Sequence, residues 1–395
     1  MKIRIAILGS TGSIGKSLLE IISQNKKKYE IVLLTANKNH LDLIKQAKKY
    51  NVKNLIISNI KSFHILNKNK NKNKNKNKIN IYNNYNSYNK IFKKKIDYVM
   101  SSISGVDGLI PTIKIIKFTK KIAIANKESI ICAWNLIDKE LLKYKTKFVP
   151  VDSEHFSLWF AIKSANKFNV EKIYLTASGG PLLKSTNSNF KNIKISQALN
   201  HPTWSMGRKI SIDSCTMMNK VFEVIEAKHL FNLPYNRISI LTQPSSYLHA
   251  IVKFTNGLIK IIAHDTTMKI PIFNTINLFE KQMIKTENLN LKKLNNLELK
   301  KVNYKNFPLV NILKQMPKKI SLFETIIVTT NDCLVDLFLK KKIKYNQIHT
   351  LMIKFVKNNK YNKYKKIKPK KIEDIILLKN NVSSDIKRIL IKKYV

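Results

Sequence analysis

Three acidic residues in this 395-residue chain have the types and spacing to do chemistry: Asp152 and Glu154 in the run Pro150-Val-Asp-Ser-Glu-His155, and Glu223 at the end of Asp213-Ser-Cys-Thr-Met-Met-Asn-Lys-Val-Phe-Glu223. The first pair follows a strand-like stretch, Lys147 to Val151. On extended chain, residues two apart point to the same side, so the two carboxylates can share one ligand. That outlines a hard-cation site. If residues 214–230 form a helix, Asn219, Lys220 and Glu223 lie three to four residues apart on one face, which sets a carboxylate beside an amide and an ammonium. A metal ligand then adjoins a phosphate grip. Taken alone, Asp152 and Glu154 also read as a solvated pair at a strand end. Against 73 Lys and Arg and only 24 Asp and Glu, the third acid favours a site.

A second constellation opens the chain. Gly9-Ser-Thr-Gly-Ser-Ile-Gly15 directly follows the apolar stretch Ile3 to Leu8 and precedes a helical pattern at 16–22. Glycines there let backbone approach a pyrophosphate, and a helix N-terminus supplies unpaired N–H groups and partial positive charge. At the end of the second strand (residues 31–35), an NAD site wants an acid for the ribose 2′-hydroxyl. This chain has Ala36-Asn37-Lys38-Asn39 instead, a pocket suited to the 2′-phosphate of NADP. Lys38 can also be one more lysine in a lysine-rich chain.

The elements that must position these groups read as an α/β protein. Strand-like runs at 54–58, 96–103 and 121–125 continue the alternation begun at the N-terminus, which gives a parallel, Rossmann-like sheet with helices on both faces. The segmentation expected is a nucleotide-binding domain over 1–149, a second α/β domain over 150–280, a polar linker over 281–305 and a helical domain over 306–395. The Asn-Lys repeat at 67–78 has nothing to bury and reads as a solvated loop.

Composition narrows the function classes. The net charge of +49 is mostly Lys spread among Asn and Ile along the whole chain, a coding-bias pattern rather than a nucleic-acid stripe, so no specific nucleic-acid partner is expected. Cys132, Cys215 and Cys333 are isolated and odd in number, which suits a reducing cytoplasm. No apolar run reaches membrane-spanning length, so no membrane role is expected. The first strand is expected to start at Lys2, so no targeting peptide is expected.

Taken together, Leu8 to Gly15, Ala125-Asn-Lys-Glu-Ser129, Pro150 to His155, Ser178-Gly-Gly-Pro181, His201 through Lys209, Asp213-Ser214 and Asn219-Lys220 resemble the 1-deoxy-D-xylulose 5-phosphate reductoisomerase family, essentially end to end. The resemblance implies a nucleotide-binding domain, a catalytic domain with a mobile lid and a C-terminal helical bundle, usually as a homodimer. It implies NADPH held by Thr11, Gly12, Ser13, Ile14, Asn37, Lys38, Asn39, Asn126, Glu128 and Gly207, and Mg²⁺ or Mn²⁺ ligated by Asp152, Glu154 and Glu223. Lys127, Ser153 and Glu154 would face the reacting carbons of a sugar phosphate, with Lys127 stabilising charge, relaying a proton or contacting cofactor only. Ser178, His201, Ser214, Asn219 and Lys220 would take the rest of the substrate, chiefly its phosphate, while Trp204 and Met206 would cover it. For Trp204, core packing is the competing role.

The chain also departs from the family. It has Gln243-Pro-Ser-Ser246 for His-Pro-Gln-Ser, His264-Asp-Thr-Thr-Met268 for Gly-x-Pro-Asp-Met, and Thr329-Thr-Asn-Asp332 for Ala-Ala-Asn-Glu, while keeping Met268 and His249, the latter a further expected substrate contact. These changes predict a slower enzyme with the same reaction. Competing readings are another NADP-dependent enzyme of the same architecture, such as a semialdehyde or homoserine dehydrogenase, a basic nucleic-acid-binding protein, and a relative that folds but no longer turns over.

Overall fold

The structure, a computed structural model, describes residues 1–72, 79–163, 170–183, 190–191, 193–277 and 282–394. Chain contacts divide it into two units: the first is Met1–Asn126, Ile137–Asp152 and Met268–Ile284, the second Lys127–Leu136, Ser153–Thr267 and Lys285–Val395.

In the first unit, strands β1 (Ile3–Leu8), β2 (Tyr29–Ala36), β3 (Asn54–Ile57), β4 (Asn80–Tyr82), β5 (Ile96–Ser101), β6 (Thr119–Ile124) and β7 (Lys147–Pro150) form one parallel sheet in the order β4-β3-β2-β1-β5-β6-β7. Its connections carry helices α1 (Ser13–Gln24), α2 (His40–Lys49), α3 (Ile60–Lys72), α4 (Tyr88–Ile91), α5 (Leu109–Ile116) and α6 (Lys127–Lys143), the last kinked at Ala133, where the backbone leaves helical values. Ile5, Ala6, Ile7 and Leu8 are all fully buried, as a central parallel strand covered on both faces requires.

The second unit takes the first part of α6 (Lys127–Leu136) and holds α7 (Ser153–Lys163), α8 (Ile195–Leu199), α9 (Arg208–Cys215) and α10 (Met218–Phe231), with strands β8 (Val170–Ala177), β9 (Ile238–Thr242), β10 (Leu248–Phe254), β11 (Ile259–Ala263) and β12 (Lys300–Lys301). The sheet order is β11-β10-β8-β9-β12, antiparallel except where β8 meets β9. Leu158 and Ala161 of α7 and Val224 and Ala227 of α10 pack with Ile173, Leu175, Ala250 and Val252 of the sheet. Helix α11 (Lys269–Asn277) belongs to the first unit, where Ile272, Phe273 and Ile276 join the core that includes Leu18 and Ile22 of α1. The rest of the chain is α12 (Leu291–Asn295), α13 (Phe323–Leu339), α14 (Tyr345–Val356), α15 (Asn359–Asn362) and α16 (Ile372–Tyr394). Among the described residues no helix is long and apolar enough to cross a membrane.

Four local expectations change. Helix α3 runs into the Asn-Lys repeat as far as Lys72, because Asn59 accepts from the Ser62 amide and starts the helix and lysine is a good helix former; residues 73–78 lie outside the described residues. The helix expected over 214–230 is two helices, broken at Met217, whose φ is +61°. Extended chain ends at Pro150 and α7 starts at Ser153, so Asp152 and Glu154 do not alternate on a strand. Finally, the stretch 281–305 contains β12, which pairs with β9.

Candidate active site

The glycine turn is built by contact. Gly9 adopts φ +81°, and a Cβ there would stand 2.9 Å from the Ser102 carbonyl oxygen; one on Gly15 would stand 2.6 Å from the Gly9 oxygen and the Ser10 Cα. Gly12 caps α1 without a side-chain hydrogen bond, which leaves the helix N-terminus open beside Thr11, Ser13 and Ile14, the arrangement that suits a pyrophosphate. The Gly9 amide donates to Thr35 Oγ1 and the Ser10 amide to the Thr35 carbonyl, each at 2.9 Å, pinning the turn to β2. Asn37, Lys38 and Asn39 follow β2, and Lys38 is exposed. Asn39 caps α2 through the Asp42 amide, while the Lys38 carbonyl accepts from Ser62. Asn126, buried, donates to the carbonyls of Gly105, at 2.7 Å, and Ile103.

The acids gather where β7 gives way to α7. Asp152 is the last residue of the first unit and is bonded directly to Ser153, so the chain itself sets it beside Glu154 in the first turn of α7. One carboxylate oxygen each from Asp152, Glu154 and Glu223 lie within 4.8 Å of one another. Two ammonium groups face them. Lys220 reaches Glu154 Oε1 at 2.8 Å and also bonds Glu223 Oε2; Lys127 donates to Asn219 Oδ1 at 2.6 Å and lies 3.5 Å from Glu223 Oε1. Asn219 Nδ2 donates to Glu223 Oε1 at 2.5 Å, and Ser153 Oγ to Glu154 Oε2 at 2.6 Å. Burial pulls the Lys220 pKa down, but Glu154 and Glu223 outweigh it and hold the amine above its ordinary value.

A third group surrounds His201. Its Nδ1 accepts from the amides of Thr203 and Trp204, at 3.2 and 3.0 Å, which assigns the proton to Nε2, 3.0 Å from Ser178 Oγ. Burial holds this histidine below its usual pKa. Ser178 opens the turn Gly179-Gly180, both at positive φ, and a Cβ on Gly180 would meet the Ser214 backbone at 3.1 Å. Trp204 is half-buried, not a core residue; its ring meets His249 edge-on at 6.2 Å, and His249 stacks on His264 at 3.7 Å. Met206 is half-buried, and Gly207, exposed, caps α9.

Two supporting sets went unread in the sequence. Fully buried His155 ties α7 to α10, its Nε2 2.9 Å from the Glu223 carbonyl and its Nδ1 3.6 Å from Glu226 Oε2; it stood inside the acidic motif, but its type alone said nothing of a tie. Lys209 binds Glu128, Asp213 and Asp332, and separations of up to 204 residues hid that grouping.

Comparison with known proteins fits this geometry. Family models match three stretches: 1-deoxy-D-xylulose 5-phosphate reductoisomerase over residues 5–134, its C-terminal domain over 148–231, and a DXP reductoisomerase C-terminal domain over 265–384. A curated 1-deoxy-D-xylulose 5-phosphate reductoisomerase of Pelagibacter ubique is 55% identical over 96% of this chain and 97% of its own.

The chain belongs to the 1-deoxy-D-xylulose 5-phosphate reductoisomerase family.

A family member of Persephonella marina is 36% identical over 95% of each chain. Among solved structures, the Zymomonas mobilis reductoisomerase in complex with NADPH superposes with a TM-score of 0.86 at 29% identity, covering 99% of each chain. A reductoisomerase in complex with NADPH, fosmidomycin and magnesium gives 0.88 at 28% identity over 98% of each. The fold is thus the family's: an N-terminal Rossmann-like sheet followed by an α/β catalytic region and a helical C-terminal region.

Proposed function

We propose that this reductoisomerase converts 1-deoxy-D-xylulose 5-phosphate and NADPH to 2-C-methyl-D-erythritol 4-phosphate, with Asp152, Glu154 and Glu223 holding the divalent ion. The observation that carries the reading is the three converging carboxylates beside two lysines. The donor set fits a hard cation: all three residues offer carboxylate oxygen, gathered within 4.8 Å of one another, and oxygen is the ligand that Mg²⁺ takes. Lys220 already bridges two of the acids as a positive charge, which supports their selection for a cation.

When bound, the ion polarises the substrate carbonyl and stabilises negative oxygen during the carbon rearrangement; bound NADPH supplies hydride. The chain's own groups do the rest. Lys127, directed at Asn219 and Glu223, stands where it can offset developing charge or pass a proton, and Ser153 orients Glu154 through its hydroxyl. Ser178, His201, Ser214, Asn219 and Lys220 hold the phosphate end, whose binding energy positions the reacting end. Trp204 and Met206 cover the substrate and exclude water. Thr11, Gly12, Ser13 and Ile14 would hold the cofactor's pyrophosphate, Asn37, Lys38 and Asn39 its ribose phosphate, and Asn126, Glu128 and Gly207 would add further contacts to it.

A second copy of the chain is the partner we propose. Edge strand β11 leaves Ile259 and Ile261 exposed beside Leu258, an edge of the kind that natural proteins cover. Cytoplasmic residence accords with three cysteines that form no disulfide. The deciding experiment follows NADPH oxidation with deoxyxylulose phosphate, with and without Mg²⁺ or Mn²⁺. Metal-dependent product supports the reading; folded protein that binds NADPH and forms no product overturns it.

A further inference from the structure

A second charged cluster lies wholly within the second unit. Lys209, in the first turn of α9, places its ammonium 2.9 Å from Glu128 Oε1, 3.0 Å from Asp213 Oδ2 and 2.9 Å from Asp332 Oδ1. The ammonium donates hydrogen bonds to Glu128 and Asp213, and Asp332 faces it as an ion pair whose oxygen receives no hydrogen bond. Asn331 Nδ2 donates to the other oxygen of Asp213 at 2.7 Å, and the Phe222 ring lies 5.6 Å from the ammonium. Glu128 and Asp213 are buried, while the lysine side chain keeps 33% exposure. Burial pushes the Asp332 carboxyl up to about 7 against the pull of Lys209.

One cation shared among three acids from three helices is a poor device for stability alone, since each acid was desolvated for a third of a charge. Its placement suggests another use. Glu128 follows Lys127 in α6; Asp213 precedes Ser214 in α9; Lys209 comes two residues after Gly207, at the end of the segment that carries His201, Trp204 and Met206. Each therefore sits within two residues of a group assigned above to substrate or cofactor.

We propose that Lys209 is a positioning residue that locks the end of the 201–207 segment to α6 and α13, and so sets Gly207, Ser214 and Lys127 for the reaction. The inference rests on the function proposed above. A loosened lock misplaces ligand contacts before it removes the fold, so affinity suffers ahead of the chemical step.

The test uses Lys209→Met, Lys209→Arg and Asp332→Asn in the full chain, each also in a Trp134→Phe, Trp159→Phe background in which Trp204 is the remaining tryptophan. Lys209→Met should raise KM for both NADPH and sugar phosphate about tenfold with a smaller fall in kcat, and Asp332→Asn should raise both about threefold, the scale of a small loss of positioning. Lys209→Arg should restore part of the affinity. Acrylamide should quench Trp204 more readily in Lys209→Met and Asp332→Asn. Wild-type KM values and wild-type quenching in both variants would overturn the proposal, as would a fall in kcat alone. If Lys209→Met does not fold, Asp332→Asn decides by the same criteria. If the unaltered enzyme makes no product, the functional reading fails separately, and Trp204 quenching with NADPH binding still decides on Lys209.

Discussion

Replacing a carboxylate by its amide keeps the shape of a side chain and removes the charge on which a hard cation depends. Asp152→Asn, Glu154→Gln and Glu223→Gln should each lower turnover by at least about a hundredfold, a loss comparable to that of one electrostatic group in a preorganised site, while NADPH titrated by fluorescence binds as before. Near-normal rates at low metal would mean that the acids serve another purpose. Lys38→Glu puts a negative charge where the ribose 2′-phosphate is proposed to lie, and should weaken NADPH much more than NADH. An unchanged cofactor preference would reduce Lys38 to a surface lysine. At this scale the acids were legible because Asp152 and Glu154 are close in sequence and Asn219, Lys220 and Glu223 share a helical face. The three acids that share Lys209 were not, because one of them lies at the far end of the chain, on α13, and only folding brings it near.

Elements read well where burial is periodic and poorly where one residue breaks the pattern. The parallel strands of the first unit are short apolar runs with helices between them, and their places were visible. The break at Met217 was not, because a left-handed residue is ordinarily announced by Gly or Asn and here it is a methionine. The strand β12, two residues long, is below what any pattern can signal. Gly15 shows how tightly an element can be fixed. A Cβ there meets backbone at 2.6 Å, with no flexible side chain to yield, so Gly15→Ala should cost about 1–3 kcal/mol in urea unfolding and weaken NADPH. Helix α13 carries a pH signature of its own. Glu324 is fully buried; its Oε2 accepts from the Ser321 amide and hydroxyl, and its Oε1 lies 3.9 Å from His229 Nε2. Burial raises the Glu324 carboxyl to about 7. The unfolded chain therefore gives up this proton first, and stability falls as pH rises from about 4.5 to about 7. Glu324→Gln removes that loss, so the variant should gain on the wild type by up to about 3 kcal/mol between pH 5 and pH 8. His229, which burial pushes down to about 3, loses stability in the opposite direction, as pH falls below its unfolded value, and is common to both proteins. A flat difference across that range would show Glu324 ionised normally.

At the scale of the whole molecule, a net charge of +49 should produce weak DNA retention that vanishes by roughly 0.2 M salt; saturable binding that survives higher salt would indicate a nucleic-acid role. If β11 is the contact between copies, Ile261→Lys should convert a dimer to a monomer in sedimentation, and an unchanged dimer would move the interface elsewhere. The first unit also imposes an order of events. Its core includes α11, which arrives after most of the second unit's sheet has been made. On a ribosome the apolar face of α1 must wait for residues 268–284 to emerge. At ordinary synthesis rates the interval after residue 152 is on the order of ten seconds, long enough for a chaperone to bind. The nucleotide-binding half of the chain, though first to be translated, thus finishes late, and a fragment ending at residue 152 should expose an oily groove that a peptide spanning 268–284 would close.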